Sequence, residues 1–173
     1  MRMRKRFLSG AVIILLAGIA VPAVEGGGVE WREYVAEEYA IKFYVAEGMT
    51  VTETERGDWG MLKGVTQDGD VTLVVQGVRE KKSLEAIEAY AEKELGLSSD
   101  RFTKVDGGAD DNLVYHTYTA RGTVNGVKSG LAVVVAHHAT KDISYLCYLQ
   151  STAATYDQYQ EAFKFWYSHV AGL

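Results

Sequence analysis

The dipeptide Asn125-Gly126 lies between two long runs of β-branched and aromatic residues, Leu113 to Val124 and Val127 to His138. Asn-Gly is the strongest short hairpin signal, because a two-residue type I′ turn needs positive φ at both central positions. A turn there fixes the register of everything it joins. Val124 falls opposite Val127, Ala120 opposite Leu131, Tyr118 opposite Val133 and His116 opposite Val135. Ile143 to Gln150 continues the pattern as a third antiparallel strand.

Upstream, Trp31 to Tyr34 reads as a short strand and Tyr39 to Val45 as a clearer one, with Ile41, Phe43 and Val45 on one face. Trp59 to Thr66 and Val71 to Val78 form a further pair around Gln67-Asp68-Gly69-Asp70, where Asp-Gly also suits a type I′ turn. A helix is expected from Ser83 to Leu95. Ser83 caps it, Leu84, Ile87, Ala91 and Leu95 form its apolar stripe, and Gly96 stops it. Thr155 to Val170 is expected to be the last helix. Thr155 and Gln158 supply a capping box, and Tyr159, Phe163, Trp166 and Val170 the stripe. Strands joined by hairpins and separated by two amphipathic helices indicate an α+β domain: one antiparallel β-sheet with two packed helices.

The N-terminus has the form of an export signal. Arg2, Arg4, Lys5 and Arg6 precede an apolar run from Phe7 to Ala20, and Val21-Pro22-Ala23 offers the small residues of a cleavage site. Residues 1–23 are therefore expected to be a signal peptide, with Val24 or a close neighbour starting the mature chain. The run is short for a membrane span, so an uncleaved anchor is the weaker reading and no stable membrane insertion is expected after cleavage. Gly26-Gly27-Gly28 suggests that 24–30 is a flexible joint ahead of a single domain at 31–173. The destination is the periplasm or the extracellular medium.

The signal holds four of the 18 basic residues and none of the 23 acidic ones, leaving 14 against 23 and a charge of −9. Such a domain repels nucleic acid and anionic surfaces. Cys147, the only cysteine, cannot form an intramolecular disulfide, and its apolar neighbours mark it as a buried structural thiol.

In its order of elements the chain resembles the PsbP/DcrB-like family, whose founding member is an extrinsic photosystem II subunit. An aromatic strand, Tyr39 to Val45, comes first. A hairpin, a helix, a three-stranded meander and an aromatic C-terminal helix follow. Where that family commonly has a Pro and a Gly-Trp pair, this chain has Val45-Ala46-Glu47-Gly48-Met49. The resemblance implies a PsbP-like α/β sandwich with a binding or accessory role, and it carries over no catalytic residue.

The hairpin register places His116 and His137 on one face as diagonal neighbours, beside Tyr118. These three are the candidate binding residues. Two imidazoles could hold a metal or supply a base, but no third ligand accompanies them and no cofactor is implied. Asp106 to Asn112 reads as a solvated acidic loop without EF-hand spacing. Gly107-Gly108 lacks the phosphate-loop pattern, and Ser98 and Ser99 lie in no nucleophile elbow. Glu37-Glu38 and Arg79 to Lys82 read as solvated surface. Phe165 and Tyr167 fall off the last helix's stripe and form a possible contact patch. The expectation is an exported, non-enzymatic binding or accessory domain for a protein or small-molecule partner. The alternatives are a metal-dependent or hydrolytic enzyme using His116 and His137, and an envelope assembly subunit.

Overall fold

A computed structural model describes residues 23–173, so the expected signal segment lies outside the described residues apart from Ala23. In chain order the elements begin with β1 (Val24–Gly26), β2 (Val29–Ala36) and β3 (Ile41–Ala46), then β4 (Thr50–Arg56), β5 (Trp59–Val65) and β6 (Val71–Val78). Helix α1 (Leu84–Leu95) separates these from β7 (Phe102–Ala109), β8 (Leu113–Val124), β9 (Val127–His138) and β10 (Ser144–Thr152). Two short helices, α2 (Ala153–Gln158) and α3 (Gln160–Tyr167), precede the final strand β11 (Ala171–Gly172).

These strands form two sheets, one of four in the order β1-β2-β3-β11 and one of seven in the order β4-β5-β6-β10-β9-β8-β7. The expected architecture, a single antiparallel sheet covered by two packed helices, is therefore overturned: the domain is mainly β. The inner face of the large sheet is covered chiefly by the small sheet, with α2 and α3 filling in beside it. Trp31, Ile41 and Phe43 of the small sheet share a core with Leu73, Val134 and Cys147 of the large one. Helix α1 stands alone on the outer face, where Ile87, Ala91 and Leu95 meet Leu131, Val133 and Val135. Strand β9 is thus apolar on both faces, and its alternation disappears because neither face is wet.

The β8–β9 hairpin has the expected register, from Val124 opposite Val127 to His116 opposite Val135. Asn125 and Gly126 both have positive φ, at 51° and 82°. Asp68-Gly69 differs. Among non-glycine residues described, only Ala40 and Asn125 have positive φ, so residues 67–70 form a longer loop, closed by a 3.0 Å bond from the Val71 amide to the Thr66 hydroxyl.

Helix α1 is capped as expected, Ser83 Oγ accepting from the Ala86 amide at 3.3 Å. Ser83→Ala should cost about 1 kcal/mol, readable as a shift of the urea midpoint, since capping changes are worth that much.

The single helix expected from Thr155 to Val170 is two. Thr152 caps α2, its Oγ1 accepting from the Thr155 amide at 3.3 Å, and the chain leaves helical geometry at Tyr159 (φ −116°, ψ 29°). The Tyr159 carbonyl then accepts from Ala162 and Phe163 to start α3. Thr155 is not a cap; its hydroxyl bonds the Asp70 carboxylate. The break lets Tyr156 lie over Gly130 while Phe163 and Trp166 reach the core.

Two further expectations change. The glycine joint is a β1–β2 hairpin turning at Gly27-Gly28. The acidic loop at 106–112 is mostly the outer half of β7, an exposed edge strand paired to β8 with a register shift between Lys104 and Asp106. Only Asp110 to Asn112 form the turn, where Asp110 Oδ1 accepts from the Asn112 and Leu113 amides at 2.8 and 2.7 Å. The irregularity and polar side chains of β7 suit a strand with no outer partner.

Candidate functional site

His116 and Tyr118 project from β8 toward α1, and Glu88 of that helix joins them. The Glu88 Oε1 carboxylate oxygen accepts from the Tyr118 hydroxyl at 2.6 Å and lies 2.7 Å from His116 Nδ1. Tyr118 is held well above the ordinary tyrosine range, first by burial and then by its bond to Glu88. Nothing in the one-dimensional pattern flags Glu88, because its role depends on how α1 lies across β8. His137 takes no part: it pairs opposite Val114, and its Nδ1 lies 3.2 Å from the His138 carbonyl. Among the described residues no group of three His, Cys, Asp or Glu is placed to hold a metal ion. The small cavity beside Glu88 and Tyr118, about 120 Å³, is not lined by His116. The three groups tie α1 to the sheet and leave the imidazole's Nδ1 facing a carboxylate.

Phe165 and Tyr167 are half-buried against the main core. The Phe165 ring stacks on Trp31 at 5.9 Å between centroids and meets Tyr44 edge-on at 5.5 Å. Its aromatic surface closes the small sheet.

A larger opening lies among residues that the sequence marked as strands and solvated surface and not as a site. Between β2–β3 of the small sheet and β4–β5 of the large one the layers part, leaving a cleft of about 390 Å³. Its apolar wall includes Tyr34, Ile41, Phe43, Met61 and Leu62, and its polar lining includes Thr54 and the carboxylates of Glu37, Glu38, Glu53 and Glu55. Tyr39, in the single helical turn at Glu37–Tyr39, lies along the cleft.

The seat of that ring is built by sequence. Gly60 and Gly77 are directly paired on β5 and β6, and a Cβ on either would overlap the Tyr39 ring. The Tyr39 carbonyl is pinned by the Tyr145 hydroxyl, which donates to it at 2.6 Å. The Arg79 guanidinium lies 5.0 Å from the ring centroid and 3.4 Å from the Glu38 carboxylate. Arg79 and Glu38, read from sequence as solvated charges, thus frame the cleft.

The Tyr39 hydroxyl is the one buried side-chain polar atom without a hydrogen-bond partner among the described residues. Burial raises it above the ordinary tyrosine range and the nearby Glu55 carboxylate raises it further, against the opposing pull of Arg79. Glu55 is near enough to act electrostatically but does not accept a well-formed bond. A buried unsatisfied hydroxyl costs about 1–3 kcal/mol, so its retention is unusual. A second cavity, about 330 Å³ between α1 and the β5–β6 face, contrasts with this one. Its buried amide, Gln76, is bonded to Tyr90 at 2.9 Å and Glu94 at 3.3 Å.

Cys147 is fully buried on the inner face of β10, and burial pushes its thiol up to about 12. Thiolate is the reactive form. The folded protein should leave a disulfide reagent unreacted at pH 8 and consume it once urea unfolds the chain; prompt native labelling would contradict this burial. The sign for stability follows. The thiol stays protonated in the fold while the unfolded thiol ionises from about pH 9, so its contribution is whole below that pH and lost as pH rises toward 12.

The fold and cleft define a two-sheet, mainly β domain with a concave site between its layers. No protein-family model matches the chain, and no curated protein matches it.

Proposed function

We propose that this chain is an exported, non-enzymatic binding domain that takes a small ligand in the cleft between its two sheets. The observation that carries the reading is the unpartnered Tyr39 hydroxyl in a cleft of about 390 Å³. That volume is at the lower end of small-molecule sites, and the lining joins aromatic and aliphatic walls to a set of carboxylates. Export is supported by the basic and apolar N-terminus; β1 begins at Val24, so cleavage after Ala23 leaves every described strand intact.

Amide-shift mapping against a fragment library of cations, anions and neutral apolar compounds tests the site. Hits should move Tyr34, Gly60 and Gly77 together. Hits that gather instead around Glu88 and Tyr118, or none at all, would overturn the reading. N-terminal sequencing of exported protein should begin at or near Val24, and a retained Met1 would refute cleavage.

A further inference from the structure

We infer that the ligand of the inter-sheet cleft is an organic cation, a primary ammonium group on a short apolar stem; this rests on the cleft being the binding site. Two independent features point there. The first is uncompensated charge. Four carboxylates line the opening, and only Glu38 has an ion-pair partner, Arg79 at 3.4 Å; Glu37, Glu53 and Glu55 have none among the described residues. Arg79 is itself spent, being bonded to Glu38 and stacked over Tyr39. Like charges gathered beside low-dielectric walls focus a field that raises the local concentration of a counter-charge.

The second feature is the Tyr39 hydroxyl, buried and without a hydrogen-bond partner on a residue only 9 % exposed. It lies against Gly60, and both residues line the cleft. A phenol oxygen can accept one hydrogen bond while its proton donates another. An ammonium N–H can donate to that oxygen while the phenol proton turns to Glu55, which completes the missing bonds of both. The stem then lies along Tyr34, Phe43 and Met61, where aromatic faces also favour a cation. An anion would face three unpaired carboxylates, and a neutral ligand would leave them uncompensated.

The test compares three probes of one shape, hexylamine, 1-hexanol and hexanoate, at pH 7 by amide-shift titration of the protein. Hexylammonium should move Gly60, Gly77 and Tyr34 and bind at least about tenfold more tightly than hexanol, the factor a single 1.4 kcal/mol interaction gives. Hexanoate should not bind there. Raising salt should weaken the amine and leave hexanol unchanged. The double variant Glu53→Gln with Glu55→Gln should remove most of the amine's advantage and keep hexanol's affinity. Tyr39→Phe, which deletes only the hydroxyl, should weaken the amine severalfold. If hexanol or hexanoate binds the cleft as tightly as the amine, the cation assignment falls while the cleft stands as a binding site. If the amine's shifts fall away from the cleft, the assignment also falls, and the fragment screen decides the cleft separately.

Discussion

Replacing Trp166 by alanine should destabilise the domain by about 3–5 kcal/mol, the cost of truncating a buried indole and leaving a cavity. Total stability of such a domain is about 5–15 kcal/mol, so the variant is expected to melt about 10 °C or more below the parent, or to fail to fold. The position explains the size of the effect. Trp166 is fully buried in the core between the sheets, and its indole Nε1 donates to the Tyr44 carbonyl at 3.1 Å. It therefore fastens α3 to β3 through packing and through a hydrogen bond. Trp166→Phe keeps part of the buried surface but loses the donor and the part of the indole a phenyl ring cannot fill, and should cost less than alanine, about 1–3 kcal/mol. Paired urea titrations of both variants measure the difference. An alanine variant within 1 kcal/mol of the parent, a bound set well under the about 3 kcal/mol floor for such truncations, would mean that α3 does not seat there.

The second large effect is expected at Gly27. Its φ is +64°, a region that costs an L-residue about 1–2 kcal/mol, and an added Cβ would also overlap the backbone of Ala162 at the start of α3. Backbone cannot swing aside as a side chain can, so a steric term of about 1–3 kcal/mol adds to the strain. Gly28 is the internal control. Its φ is +78° but no atom lies within contact range of an added Cβ. Gly28→Ala should therefore show the strain alone. Gly27→Ala should exceed it, with β1 released from α3 and the unfolding midpoint lowered. Equal midpoints for the two variants would show that the β1–β2 turn does not press on α3.

The same turn shows where sequence reasoning reached its limit. Three consecutive glycines read as a joint, because composition reports conformational freedom and not what the chain lies against. In the fold Gly26 and Gly27 are needed for the opposite reason: Phe165 and Ala162 come too close to admit a side chain. Strands β4 and β7 were missed for a related cause. Both are edge strands, mostly polar and exposed, so neither carries the apolar alternation that marks a half-buried strand. Strand β11 is two residues long, below any pattern's resolution.

The cleft was illegible for a different reason. Glu37, Glu53 and Gly60 lie in three separate segments, and only the parting of two sheets brings them together. Gly60 and Gly77 fall inside runs that read only as strands, and Tyr39 reads as the first residue of one. Their meaning, a seat for one ring, exists only once β5 and β6 are in register. The His116 site was half legible. The hairpin gave the two β8 residues, and the Glu88 that engages them came from a helix 28 residues away in sequence.

What the sequence determined by itself was local. Asn125-Gly126 set the register of twelve-residue strands, and Ser83 and Gly96 bounded α1, because turn and cap geometry depend on residues a few positions apart. Which layer covers each face of the large sheet was decided only in three dimensions. An apolar face specifies that it must be buried and not by what, so a second sheet, a split helix and the opening between them follow from long-range packing.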